Sequence, residues 1–175
     1  MKYSEAISQA MEELSENKNT VFVGYNILYG SKAYGTLSNV HKEMCIETPV
    51  AENLMIGLAL GLALEGFRPV VFFERHDFLL NALDGIVNHL DKFESLSGKQ
   101  YQTPVIIRAV IGAKEPLYPG PQHVQDFTHV LKKMVTFPVI ELNTTEDVIK
   151  GYKKAKLINS PIMFVERREL YDSIK

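Results

Sequence analysis

An acid, Glu52, stands directly in front of the almost wholly apolar run NLMIGLALGLAL, and a histidine, His123, sits in the proline- and glycine-rich stretch PLYPGPQHVQ. A carboxylate and an imidazole are side chains suited to moving protons near neutral pH. Both also have plain explanations. An acid in a helix's first turn is favoured by the backbone dipole by roughly 0.3–1 kcal/mol, and a lone loop histidine is commonly a surface residue. His76, His89 and His129 have no context that lifts them above polar surface or satisfied interior groups. Gly57 and Gly61 lie four apart and share one helix face. Each glycine costs a helix interior roughly 0.5–1 kcal/mol relative to alanine, so the pair points to close approach of another backbone. That backbone is either the sheet beneath or a helix of another subunit.

Helical and strand patterns alternate along the chain. Helices are predicted over 4–17, with Ser4 as cap, and over 51–65, 78–96, 126–133 and 145–158. Strands are predicted over 20–24, 43–47, 68–73, 104–111, 138–142 and 161–166. Several strands are apolar on both faces, which implies a parallel sheet covered on both sides. The expected fold is an α/β three-layer sandwich of five or six strands, mostly parallel, in one domain spanning 1–175. Sites in such folds gather at the carboxyl ends of the strands, which singles out the loops 25–39, 74–77 and 112–125.

The formal net charge is −2, which gives no electrostatic reason to expect nucleic acid or an anionic membrane as partner. Cys45 is the only cysteine, so no internal disulfide can form, and a reducing cytoplasm is the expected location. The N-terminus is amphipathic and acidic, and the apolar run 54–64 is too short to span a bilayer.

The run E-N-L-M-I-G-L-A-L-G (Glu52 to Gly61) resembles the pyrimidine-domain signature of thiamine diphosphate enzymes. More closely, the chain is similar to the N-terminal domain of 2-oxo acid dehydrogenase beta subunits, within the transketolase-like group. Thr48, Pro49, Glu52, Asn53, Gly57, Gly61, Gly66, Arg68, Pro69, Val70 and Val71 match in order. So do the run from Ala82 to Asn88, the Ser97-Gly98-Gln100 echo and PIMFVERRELY near the end. The resemblance implies that Glu52 sits across a subunit interface and hydrogen-bonds the aminopyrimidine of thiamine diphosphate, so that a proton can leave the thiazolium carbon. A carboxyl in a water-poor place grips a proton more firmly than one in solvent. It also implies that Val50, Phe78 and Arg75 line the cofactor's ring, and that His123 faces the carbonyl of a 2-oxo acid or ketose.

Three departures temper the match. Arg75 stands where the family has an aromatic that stacks on the ring; it could stack through cation–π attraction, bind an anionic substrate group, or be a simple surface arginine. Tyr25-Asn26-Ile27 replaces the family's E-D-V. The chain ends at Lys175, where beta subunits continue into a second domain, and no G-D-G…N run for magnesium and diphosphate occurs. A separate alpha-like subunit is therefore expected to hold the diphosphate and Mg2+, as a homodimer contact or an α2β2 assembly, with no metal site on this chain. The alternative is a non-catalytic, regulatory or stabilising subunit that keeps the fold without the cofactor chemistry. A nucleotide-binding doubly wound domain ranks last, because the glycines do not form G-x-G-x-x-G after a strand.

Overall fold

The computed structural model describes residues 1–173, so the expected domain end at Lys175 lies outside the described residues. Six strands form one sheet: β1 (Thr20–Gly24), β2 (Cys45–Glu47), β3 (Arg68–Phe73), β4 (Ile106–Ile111), β5 (Val139–Glu141) and β6 (Ile162–Arg167). Their order is β2-β1-β3-β4-β6-β5, and every pairing is parallel. β4 is buried at all six positions, as a parallel strand between two helical layers must be.

The pleat sends alternate residues to opposite faces, and each face has its own core. Phe22, Val70, Phe72, Ile106 and Phe164 pack toward α1 (Tyr3–Ser15) and α6 (Thr145–Ala155). Val23, Val71, Phe73, Ile107 and Val165 pack toward α2 (Glu52–Leu64), the segment after β3 and α5 (Thr128–Met134). The chain leaves β1 toward β2 on one side and leaves β3 toward β4 on the other. The carboxyl ends of β1 and β3 thus form the crevice where ligands gather in open α/β sheets.

The structure departs from the predicted elements in three instructive places. The helix expected over 78–96 is broken into α3 (His76–Leu79), a 3-10 turn at Leu80–Ala82, a π-helical segment at Gly85–Leu90 and α4 (Phe93–Leu96). The wide turn is closed by Asp91 N–H donating to Ile86 O at 2.9 Å. Gly85 lies so close to α2 that a Cβ there would come 2.9 Å from Ile56 Cγ2. Ser4 does not cap α1; its hydroxyl donates instead to Tyr171 O at 2.6 Å, and the helix begins one residue earlier. The strand expected over 43–47 starts only at Cys45, because Lys42–Met44 coil into a 3-10 turn.

A charged pair lies inside the α1/α6 face. Arg108 Nε and Nη2 donate to Glu166 Oε1 and Oε2 at 2.8 and 3.0 Å, and neither residue is exposed. Tyr152 and Tyr171 donate their hydroxyls to the same carboxylate at 3.0 and 2.5 Å. Four donors on one acid satisfy a charge that would otherwise be prohibitively desolvated.

Candidate active site

Glu52 is the first residue of α2 and is only 5% exposed, so its carboxylate lies at the positive end of a helix and out of bulk water. Its side-chain neighbour is Asn81, whose Nδ2 lies 3.4 Å from Oε2. Tyr25, directly after β1, turns a buried hydroxyl with no hydrogen-bond partner into the same region. Burial, and then the charges of Glu52 and Glu74, hold the Tyr25 phenol protonated well above its ordinary range. Val50 and Leu54 flank Glu52 and are 73% and 49% exposed.

On the same edge, the 3-10 turn Pro121–His123 carries His123 against Phe78, ring edge to ring face, with centroids 5.3 Å apart. His123 Nδ1 is buried without a partner. Gly112, just past β4, is needed here: a Cβ on it would lie 1.9 Å from His123 O and 3.2 Å from Arg75 Cδ. Gln125 Nε2 donates to Asp77 Oδ1 at 2.7 Å and joins this turn to α3. Phe78 and His123 thus meet at the ends of β3 and β4, with Arg75 Cδ close to Gly112 beside them.

His76 differs from the expectation of a surface or satisfied histidine. It is fully buried; Nδ1 accepts from Phe127 N–H at 3.1 Å, while Nε2 has no partner. Burial pushes its pKa down to about 4, against a smaller upward pull from Asp126 and Asp77. The ring is neutral at pH 7. His89 and His129 are exposed.

Arg75 is half-buried. Nη1 donates to Glu74 O at 2.8 Å, and the guanidinium lies 5.3 Å from the centre of the Tyr34 ring. The loop that delivers Tyr34 is strained: Lys32, Ala33 and Tyr34 have φ of 48°, 52° and 57°. Consecutive left-handed residues are rare, at roughly 1–2 kcal/mol each for L-amino acids. Tertiary bonds hold them there. Ala33 N–H donates to Asn26 O, and the Tyr34 hydroxyl donates to Glu74 O at 3.0 Å. Glu47, at the end of β2, accepts the amides of Asn26, Ile27 and Leu28 at 2.6, 3.0 and 2.7 Å and fixes the start of the loop.

The glycine pair of α2 faces outward. A Cβ on Gly57 or Gly61 would meet nothing within 4 Å, which removes packing on the sheet as their reason. Among the described residues no group of three His, Cys, Asp or Glu side chains could hold a metal ion, and no helix is long and apolar enough to cross a membrane.

Comparison with known proteins bears on this arrangement. Residues 1–173 match the family described as transketolase, pyrimidine binding domain. The chain belongs to that family. It is 30% identical to the mitochondrial pyruvate dehydrogenase E1 component subunit beta of Saccharomyces cerevisiae, over 98% of this chain and 48% of that protein. It is 29% identical to the acetoin:2,6-dichlorophenolindophenol oxidoreductase subunit beta of Cupriavidus necator, over 95% of this chain and 53% of that one. The chain spans about half the length of these relatives. A solved structure titled split gene transketolase, inactive beta4 tetramer, shares the fold with a TM-score of 0.75 at 20% identity, over 96% of this chain and 52% of that one. The family confirms the expected fold, here with every strand parallel.

Proposed function

We propose that this chain is the beta-like, pyrimidine-binding part of a split thiamine diphosphate enzyme of the 2-oxo acid dehydrogenase or transketolase type. The observation that carries the reading is the Glu52 carboxylate: buried, at a helix N-terminus, with a single long contact from Asn81 and an unpartnered phenol close by. That arrangement suits a ring nitrogen delivered from outside the chain. Exposed Val50 and Leu54 beside it, with the open face of Gly57 and Gly61, suit a covering subunit.

Thiamine diphosphate, when bound, supplies a carbon nucleophile that attacks a carbonyl and stabilises the negative charge left when the adjacent carbon–carbon bond breaks. Within this chain, Glu52 holds a proton shared with the pyrimidine nitrogen. Phe78 and Val50 enclose the ring's apolar surface, and Arg75 borders it. His123, fixed against Phe78, donates to the oxygen on which charge develops in a 2-oxo acid or ketose. A separate alpha-like subunit holds the diphosphate and Mg2+, in an α2β2 or similar cytoplasmic assembly. The test is co-expression with that subunit and measurement of thiamine-dependent turnover of 2-oxo acids. Glu52→Gln should lower the rate by about 10²–10⁴-fold, the range for a lost proton-transfer group; an unchanged rate would refute the role.

Tyr25 in place of an acid, and the turn of Arg75 toward Tyr34, favour a second reading: a regulatory or stabilising subunit without cofactor chemistry. Titrating thiamine diphosphate with Mg2+ into the reconstituted complex separates the two, because the second predicts no heat of binding.

A further inference from the structure

Arg108 is a guanidinium inside a strand that is apolar at its other positions, and no part of it is exposed. A buried ion pair gains little over apolar residues of the same volume, so pairing with Glu166 does not by itself account for a cation in β4. A further bond leaves the pair. Nη2 also donates to Thr36 Oγ1 at 3.1 Å, on a buried residue 72 positions away in sequence. The Thr36 hydroxyl in turn donates to Ala33 O at 2.7 Å. Ala33 is the middle residue of the left-handed run Lys32–Tyr34, a backbone that L-residues rarely adopt in succession.

Two ring contacts lead from the same guanidinium to the end of that run. Phe72 stands opposite Arg108 in the β3–β4 register, with its ring centre 5.1 Å from the guanidinium carbon. It meets the Tyr34 ring edge-on, with centroids 6.0 Å apart. Glu166, which Arg108 grips by Nε and Nη2, receives the Tyr171 hydroxyl at 2.5 Å, and the Tyr171 ring meets Tyr34 edge-on at 5.6 Å. Tyr34 thus rests between two rings that Arg108 locates, while its backbone is held by way of Thr36. Its own hydroxyl donates to Glu74 O, and the Arg75 guanidinium lies 5.3 Å from its ring centre. An apolar side chain in β4 could fill the same space but could not aim a donor at the loop.

We propose that Arg108 is a positioning residue: its bond to Thr36 sets the Ala33–Tyr34 backbone, and with it the side of the cofactor pocket that Arg75 borders. The hold on the loop stands on the contacts above alone, and its reach to the cofactor rests on the thiamine reading. Arg108, within the sheet, touches neither cofactor nor substrate in this assignment; it acts through Thr36 and Tyr34.

Thr36→Val keeps the shape of the side chain and removes both bonds of the hydroxyl. The amides of residues 35, 36 and 37 close the turn on Ser31, Ala33 and Lys32, and their hydrogen exchange should speed up about tenfold or more. Exchange in α1 and α2 should not change. Thr36→Ser restores the hydroxyl and should restore slow exchange. Arg108→Met alone strands the Glu166 charge, so the arginine is tested in Arg108→Met with Glu166→Leu, where the same fast loop exchange is expected. If that variant does not melt cooperatively, Arg108→Lys, with one nitrogen for two acceptors, takes its place and should give the same result. Native loop exchange in Thr36→Val, or in the arginine variant, overturns the proposal. In the complex with the alpha-like subunit, titration of thiamine diphosphate with Mg2+ should show affinity weakened about fivefold or more by Thr36→Val and recovered by Thr36→Ser. Fast loop exchange with unaltered affinity overturns the step from loop to pocket. Absence of binding to the wild-type complex instead overturns the thiamine reading, and exchange alone then decides the hold on the loop.

Discussion

Gln125 reaches across from the loop after β4 to hold Asp77, its Nε2 donating to Oδ1 at 2.7 Å, and this bond fastens the His123 turn to the start of α3. Asp77 Oδ2 is buried without a partner, so Oδ1 carries the burden of satisfying that carboxylate. Gln125→Leu is expected to free the turn. Amide hydrogen exchange over residues 121–127 should speed up by about tenfold or more, as loss of a charge-assisted bond of roughly 1.5–3 kcal/mol requires, while exchange in β4 stays unchanged. Equal exchange in both proteins would show that the turn is held by something else.

His76 makes the fold pH-sensitive in a defined window. Its pKa is about 4 in the folded chain and near 6.5 when unfolded, so between those values the unfolded state binds more protons. Its contribution is complete above pH 6.5 and is lost as pH falls toward 4, by an amount on the order of 3 kcal/mol. In His76→Asn the amide oxygen can still accept from Phe127 N–H. Urea unfolding of that variant should lose stability less steeply between pH 6.5 and 4 than the wild-type chain does.

Removing one half of the Arg108–Glu166 pair should cost more than removing both. Arg108→Met leaves a carboxylate buried with only tyrosine hydroxyls for company, and roughly 3–5 kcal/mol of destabilisation is expected. Adding Glu166→Leu should return a substantial part of it. Chemical denaturation of the single and double variants gives the coupling directly.

Gly57→Ala should act in opposite directions on the chain and on its assembly. With nothing within 4 Å of the new methyl, the isolated chain should gain roughly 0.5–1 kcal/mol from helix propensity. If the α2 face meets another subunit, the same methyl weakens association. A thermal melt and a sedimentation titration read the two effects separately, and tighter association would exclude this face as the contact.

Much of the architecture was legible because buried parallel strands carry uninterrupted apolar runs. β1 and β3 begin and end where 20–24 and 68–73 were predicted. The segment after β3 was not legible: apolar residues at 79, 83, 86, 87 and 90 suit an α-helix, and nothing local announces that Ile86 O will wait five residues for its donor. Arg108 lies in the otherwise apolar β4 and Glu166 near the end of β6. Only the β4–β6 register, which sets Arg108 opposite Phe164 and Val110 opposite Glu166, brings them within reach. Glu52 and His123 were identified as candidates by motif. The Tyr34 platform was hidden, since its left-handed backbone is imposed by bonds to Asn26 and Glu74 rather than by its own sequence.

Glu47 gathers three successive amides on one carboxylate, and so the whole crossover from β1 to β2 begins from a single nail. A neutral amide in its place would turn an N–H toward N–H groups and let the ribbon swing. The Tyr34 ring, which the Arg75 guanidinium faces, would then lose its bearing, although it lies several residues further along the chain. Geometry around Arg75 is in this sense governed from the neighbouring edge of the sheet.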